Sequence, residues 1–174
     1  MDRLEKILED SLYQQCLYQN ARAEVNRKFC HHDFQHMVDV SRITYILMLE
    51  SGDIRNFIAE NGLRDLQQAK ELIYTAGMLH DIARWKEYEE GVDHSEAGAE
   101  IAAELMAKYG FSSQEIRIVT QAIRQHRGID AGVTVLGEKL FRADNLSRAC
   151  RQCPANAECY KYGDMETSRR LLIY

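Results

Sequence analysis

The most informative part of the chain is residues 72–81, with the sequence Leu72-Ile73-Tyr74-Thr75-Ala76-Gly77-Met78-Leu79-His80-Asp81. A mainly apolar run ends here in a histidine and an aspartate, two residue types that are seldom buried without partners. The run predicts a buried helix, and we expect the His80-Asp81 pair to lie at its inner end. Imidazole nitrogens and carboxylate oxygens bind divalent metals, so the pair predicts a metal site in the protein interior.

Apolar residues recur at helical spacing along nearly the whole chain, and no alternating strand pattern interrupts them. We therefore predict an all-α fold in a single domain over residues 1–174. Capping boxes are predicted at Asp93-His94-Ser95-Glu96 and at Ser112-Ser113-Gln114-Glu115. The first predicted helix follows Asp2 and carries Leu4, Ile7, Leu8 and Leu12 on one stripe. A short helix capped by Asp53 is predicted after a helix at about 33–50. The remaining helices are predicted at about 63–82, at 94–110, at 112–128, at about 134–148 and at 165–172.

Composition restricts the classes of function. The 174 residues are 45% hydrophobic and 28% charged, which is typical of a globular domain. A formal net charge of −5 disfavours a broad nucleic-acid surface. The longest apolar stretch, residues 43–49, is too short to span a bilayer, and residues 1–6 have no signal-peptide character. We expect a cytoplasmic protein without a membrane partner, and the sequence does not indicate its oligomeric state.

Further potential ligands lie on both sides of the His80-Asp81 pair. His36 precedes it within a predicted helix, and His94, His126 and Asp144 follow it. The order His, His-Asp, His, His, Asp over residues 36–144 resembles the HD superfamily of metal-dependent phosphohydrolases. The resemblance implies an HD-type helical bundle with a divalent ion (Mn, Fe, Mg, Ni, Co or Zn). Its implied ligands are His36, His80, Asp81 and Asp144.

The resemblance also indicates roles beyond the first ion. Some family members use histidines that correspond to His94 and His126 for a second metal, and others use them to contact the substrate phosphate. The alternatives are purely structural roles. His94 would be only a residue of the capping turn, and His126 would be only a cation at a helix end. Asp81 is suited either to bridge two metals or to accept the proton of the attacking water. We therefore regard Asp81, His94 and His126 as candidate catalytic residues.

Two arginines are candidates for binding phosphate. Many family members carry a lysine three residues after the motif aspartate, where this chain has Arg84, which binds phosphate in a planar bidentate way. We also assign Arg84 to the candidate catalytic residues. Arg148 lies one turn after Asp144 and either binds phosphate or forms an i,i+4 ion pair with Asp144. We interpret Lys86, Glu87, Glu89 and Glu90 as a solvated loop with no functional role.

A cysteine-rich segment at about 150–160 predicts a separate metal site. Cys150 and Cys153 form a Cys-x2-Cys pair, and Cys159 follows six residues later. Because a closed site needs a fourth ligand, we favour Cys30, with His31 or His32 as alternatives. Zinc and an iron–sulfur cluster both suit four thiolates. The alternative is that the cysteines are free thiols that bind no metal. Cys16 is interpreted as a core residue.

The sequence thus predicts a metal-dependent phosphohydrolase that acts on a small phosphorylated compound, with a nucleotide as the favoured substrate. The alternative is a catalytically silent binding protein on the same fold. In that alternative the cysteines would report metal or redox state. A complete set of metal ligands favours the enzyme, because a silent site could lose a ligand without consequence.

Overall fold

A computed structural model describes residues 1–128, 132–170 and Tyr174. These residues form helices, turns and loops and include no strand, which confirms the all-α prediction. In the same part of the chain, no helix has both the length and the apolar character needed to cross a membrane. The helices are α1 (Asp2–Leu8), α2 (Ser11–Ala23), α3 (Phe34–Glu50), α4 (Asp53–Glu60), α5 (Leu66–Leu79), α6 (Arg84–Glu90), α7 (His94–Lys108), α8 (Ser113–Gln125), α9 (Val135–Leu146) and α10 (Glu166–Arg169), with 3₁₀ turns at Cys150–Gln152 and Asn156–Glu158.

Helix α5 is the centre of the bundle. It packs against α3 on one side and α8 on another, and α9 packs against both α3 and α8. Leu72, Ile73 and Leu79 are fully buried, and each such side chain contributes about 1.5–3 kcal/mol of hydrophobic stabilisation. His80 follows as the C-cap residue of α5. The helix therefore carries the His80-Asp81 pair into the interior because its own side chains are buried.

Helices α3 and α5 approach each other closely where Gly77 faces Ser41. A Cβ atom at Gly77 would lie 2.6 Å from the Ser41 Cα and 2.8 Å from its backbone nitrogen. The Ser41 hydroxyl donates hydrogen bonds to the carbonyl oxygen of Met37 at 2.7 Å and to that of Tyr74 at 3.3 Å. The crossing therefore requires glycine, and it sets the distance between the helix that bears His36 and the helix that precedes His80.

Helices α7 and α8 form an antiparallel pair. Gly110 makes the connecting turn with a φ of +77°, which disfavours side chains, and Ser112 and Glu115 form the predicted capping box. The Arg3 guanidinium reaches Glu115 at 2.8 Å and Glu71 at 2.6 Å. This network attaches α1 to α5 and α8.

Several predicted helix ends were wrong. The first helix breaks at Asp10, whose carboxylate accepts a hydrogen bond from the backbone N–H of Leu12, so Leu12 belongs to α2. Gly52, with a φ of +77°, is the N-cap of α4, and Asp53 is its first residue. Helix α5 begins at Leu66, later than predicted, because the Asp65 side chain caps it. Helices α7, α8 and α9 end at Lys108, Gln125 and Leu146, each two or three residues before the predicted end.

The other predicted capping box, at residues 93–96, is half present. The Asp93 carboxylate accepts hydrogen bonds from the N–H groups of Ser95 and Glu96, but the Glu96 carboxylate pairs with Arg124 on α8. Residues 84–90 form α6, where the sequence predicted a loop. The last predicted helix is observed at Glu166–Arg169, and the part of that prediction at 171–172 lies outside the described residues.

Candidate metal centre

Four side chains from three regions of the bundle form a first group. Helix α3 supplies His36, the turn after α5 supplies His80 and Asp81, and α9 supplies Asp144. The His36 Nε2 is 3.2 Å from the Asp144 Oδ1 and 3.7 Å from the Asp81 Oδ2. The His80 Nε2 is 3.1 Å from the Asp81 Oδ2. One ligand atom from each of the four lies within 4.8 Å of the others, so the group has the dimensions of a metal site.

A second group shares Asp81 with the first. The Asp81 Oδ1 lies 3.1 Å from the His94 Nε2 and 3.5 Å from the His126 Nε2. The two histidine nitrogens are 3.2 Å apart. Asp81 therefore directs Oδ2 toward the first group and Oδ1 toward the second, which is the arrangement of a carboxylate that can bridge two ions.

Two buried atoms at the centre have no hydrogen-bond partner. They are the His80 Nε2 in the first group and the Asp81 Oδ1 in the second. Leaving a buried polar atom unpaired costs about 1–3 kcal/mol, so such atoms call for an explanation. Neutral imidazole nitrogen and ionised carboxylate oxygen are ligands of divalent metals. The donor set at each group thus fits a divalent ion.

Hydrogen bonds at Nδ1 orient the ring of each histidine so that Nε2 faces the centre. Metal-binding histidines commonly use their second nitrogen in this way, which sets the tautomer and the ring angle. The His94 partner is the Glu87 carboxylate, an ionic partner that raises the basicity of the ring. The other Nδ1 partners are the Gly77 carbonyl oxygen for His80 at 2.7 Å, the Ile123 carbonyl oxygen for His126 at 2.5 Å and the Ser147 hydroxyl for His36 at 3.1 Å.

Both carboxylates of the first group are held ionised. Burial raises the pKa of Asp81, but electrostatic interactions with His80 and His32 and hydrogen bonds with His126 and His36 together outweigh burial and hold that pKa well below its usual range. Burial likewise raises the pKa of Asp144, and the hydrogen bond with His36 and the charge of Arg148 lower it further than burial raises it. Ionised carboxylates are the form that binds metal.

A cleft of about 310 Å³ opens over the centre. Its wall contains Asp81, His94, His126 and Asp144 together with five cationic side chains. Three aromatic side chains, Phe29, Phe141 and Tyr160, also line it. The cations are concentrated here although the chain is negative overall. They are Arg27, Arg84, Arg127, Arg148 and Lys161.

The two arginines predicted to bind phosphate both line this cleft. The Arg84 Nη1 lies 2.6 Å from the His94 Nδ1 and donates a hydrogen bond to Glu87 at 2.9 Å. The Arg148 Nη2 is 3.2 Å from the Asp144 Oδ1 and 2.8 Å from the His36 Nε2. The i,i+4 ion pair considered for Arg148 therefore exists, and the guanidinium also stands against a potential metal ligand.

Two residues near the centre, Glu87 and Glu24, were not predicted from the sequence, and the position of His32 was left open. Glu87 was predicted to lie in a loop, and this was wrong, because it lies in α6, which brings its carboxylate to His94. The Nε2 of His32 lies 3.7 Å from the Asp81 Oδ2, and its Nδ1 contacts the Glu24 carboxylate. From the sequence, His32 was an alternative fourth ligand of the cysteine site or an outer ligand of this centre. No motif in the sequence relates Glu24 to Asp81.

The structure also brings the four candidate cysteine ligands together. Cys30, Cys150, Cys153 and Cys159 line one cavity beside the centre, and all four are free, partly buried thiols. Cys16 is buried in the hydrophobic core, as the sequence indicated.

Comparisons with known proteins identify the family of this chain. Residues 33–149, more than half of the chain, match the family model described as HD domain. A protein of Clostridium beijerinckii described as uncharacterized is 37% identical over 164 residues, 94% of each chain. Ribonuclease Y of Enterococcus faecalis is 32% identical over 114 residues, which are 66% of this chain and 18% of that protein. The bifunctional uridylyltransferase/uridylyl-removing enzyme of Acinetobacter baylyi is 39% identical over 57 residues, 33% of this chain and 6% of that protein. No solved structure matches the chain significantly.

Proposed function

Because the chain belongs to the HD domain family of metal-dependent phosphohydrolases, we propose that it hydrolyses a small phosphorylated compound, with a nucleotide as the favoured substrate, at a centre of two divalent ions. The observation that carries this proposal is the sharing of Asp81 between two buried ligand groups at the floor of a cation-lined cleft. His36, His80, Asp81 and Asp144 would hold the first ion. Asp81, His94 and His126 would hold the second.

When bound, divalent ions supply a water of lowered pKa and neutralise charge on the phosphoryl group. The geometry favours a bridging role for Asp81 over a role as proton acceptor. Each of its two oxygens faces a different ligand group, and its pKa lies well below the range suited to a base at neutral pH. Asp81 would therefore be a ligand of both ions, with one carboxylate oxygen for each.

The walls of the cleft indicate the class of substrate. Arg84, Arg127 and Arg148 supply planar guanidinium groups that can bind phosphate oxygens in pairs. Phe29 and Tyr160 offer aromatic faces on which a base could stack. Two relatives carry the names ribonuclease Y and uridylyl-removing enzyme, and both names refer to substrates that contain nucleotides. These features support a nucleotide over a simple phosphate ester.

The test is hydrolysis of a generic aryl phosphate and of a nucleotide panel, with and without added Mn²⁺, by the wild type and by Asp81→Asn. The amide should lower turnover by at least about 10³-fold, the equivalent of roughly 4 kcal/mol of lost transition-state stabilisation. Asp10→Asn is the matched control. Asp10 is also a buried aspartate, but it pairs with Lys108 and Tyr109 away from the centre. It should lose stability and keep its turnover per folded molecule.

Wild-type turnover in folded Asp81→Asn would overturn the catalytic assignment. Binding of two ions without hydrolysis of any compound in the panel would overturn the enzymatic proposal and favour the silent metal- or redox-sensing protein. Far-UV circular dichroism of each variant establishes that it is folded before its turnover is compared.

A further inference from the structure

Two distant segments of the chain bring four cysteines to one cavity outside the histidine–aspartate centre. Cys30 lies between α2 and α3, and Cys150, Cys153 and Cys159 follow α9. All four line a cavity of about 480 Å³, whose wall also contains His36. The chain thus places every cysteine except the core residue Cys16 around one space.

The local backbone presents the last three cysteines in a compact unit. Cys150 opens the first 3₁₀ turn, and the N–H of Cys153 closes it by donating to the Cys150 carbonyl oxygen at 3.2 Å. The second turn ends at Cys159, whose N–H donates to the Asn156 carbonyl oxygen at 3.3 Å. Two consecutive tight turns that each end at a cysteine are the kind of backbone that gathers thiolates around a metal.

The spacing of the sulfur atoms favours an iron–sulfur cluster over a single zinc ion. A tetrahedral zinc ion with Zn–S bonds of 2.3 Å requires sulfur atoms about 3.8 Å apart. Among the described residues, the groups of three or more ligand atoms within 4.8 Å of one another both belong to the histidine–aspartate centre, so no three of the four sulfur atoms lie within 4.8 Å of one another. An iron–sulfur cluster distributes its thiolates over several irons and holds them farther apart.

We propose that Cys30, Cys150, Cys153 and Cys159 bind an iron–sulfur cluster that fastens the loop before α3 to the segment after α9. Both segments also border the cleft over the metal centre. Cys30 and Cys159 form part of the substrate cleft wall, and the Arg148 guanidinium donates to the His31 carbonyl oxygen at 2.7 Å. The cluster therefore holds one wall of the cleft in place, next to His36.

The test is the content of iron, zinc and acid-labile sulfide per chain in anaerobically purified wild type, with its visible absorption spectrum. Sulfide reports the cluster alone, because an ion at the histidine–aspartate centre carries none. Cys153→Ser should lose nearly all sulfide and the visible absorption. Cys16→Ala, the matched control, changes the one cysteine outside the cavity and should retain both.

If the wild type holds zinc instead of iron, and if that zinc is lost from Cys153→Ser but kept by Cys16→Ala, the proposed iron–sulfur cluster is overturned. Wild type without sulfide and without metal at the cysteines would overturn the site. The wild-type measurement decides these points even if Cys153→Ser does not fold, and Cys159→Ser provides a second variant. None of these readouts requires phosphatase activity, so the cluster and the proposed hydrolysis are tested separately.

Discussion

Replacing Gly77 with alanine is expected to disturb the crossing of α3 and α5. The added Cβ would lie 2.4 Å from the Ser41 Oγ, 2.6 Å from its Cα and 2.8 Å from its backbone nitrogen. The hydroxyl can rotate away, but the Cα and the nitrogen belong to the backbone of α3. Because favourable carbon contacts lie at about 3.5–4.0 Å, the helices must separate locally by about 1 Å.

The magnitude follows from two opposing effects. Overpacking of this kind costs about 1–3 kcal/mol, and the upper half of that range applies because backbone atoms must move. The higher helix propensity of alanine offsets this loss by up to about 1 kcal/mol in the free energy of unfolding. The net loss of about 1–2 kcal/mol should lower the Tm by about 2–8 °C in a chain of this size.

The same displacement should impair the proposed activity. His36 is on α3 and His80 follows α5, so separating these helices pulls apart two proposed ligands of the first ion. A misplacement of about 1 Å can cost about 10²-fold in turnover. Thermal unfolding followed by circular dichroism, and turnover at saturating Mn²⁺, measure the two effects in the same preparation.

Gly98→Ala provides the matched control. Gly98 lies within α7, and its added Cβ would be 3.5 Å from the His80 carbonyl oxygen and 3.7 Å from the Ile123 Cγ2, which are ordinary contacts. This variant should keep wild-type turnover and gain up to about 1 kcal/mol of stability. Wild-type Tm and turnover in Gly77→Ala, or equal damage in both variants, would refute the reasoning.

Three further predictions concern other sites. His126→Ala should lower turnover by at least about 10²-fold and remove one ion per chain, as measured by elemental analysis; if turnover falls with both ions retained, His126 contacts phosphate. Glu87→Gln removes the negative charge that orients His94 and should weaken the binding of the second ion by about 10–100-fold, as measured by metal titration. An unchanged affinity would contradict this prediction. Burial raises the pKa of Glu115, but its hydrogen bonds with Arg3, Gln68 and the Ser112 backbone and the charge of Arg3 together outweigh burial and lower that pKa to about 2 from 4.5. The carboxylate therefore stabilises the fold above pH 4.5, by on the order of 1–2 kcal/mol after screening, and loses this effect as the pH falls toward 2. Denaturant unfolding of Glu115→Gln should show a deficit near pH 7 that disappears near pH 2.

The sequence by itself determined the fold class and the family. Helical spacing of apolar residues is a local signal, and the apolar run before His80 predicted a buried helix without reference to other elements. The order of His36, His80-Asp81 and Asp144 indicated the HD family, which the match over residues 33–149 shows. The roles of the individual site residues and of the cysteines stay predictions.

Only the tertiary structure decided how these residues meet. Which oxygen of Asp81 faces which histidines depends on how α5 packs against α3 and α7, and no spacing along the chain encodes those angles. The sequence placed Glu87 in a loop because its neighbours are charged, whereas packing of α6 against α7 directs its carboxylate to His94. Local patterns state which side chains are buried and which can bind metal. The distances between them come from helix crossings such as that at Gly77, because those depend on contacts between residues far apart in the chain.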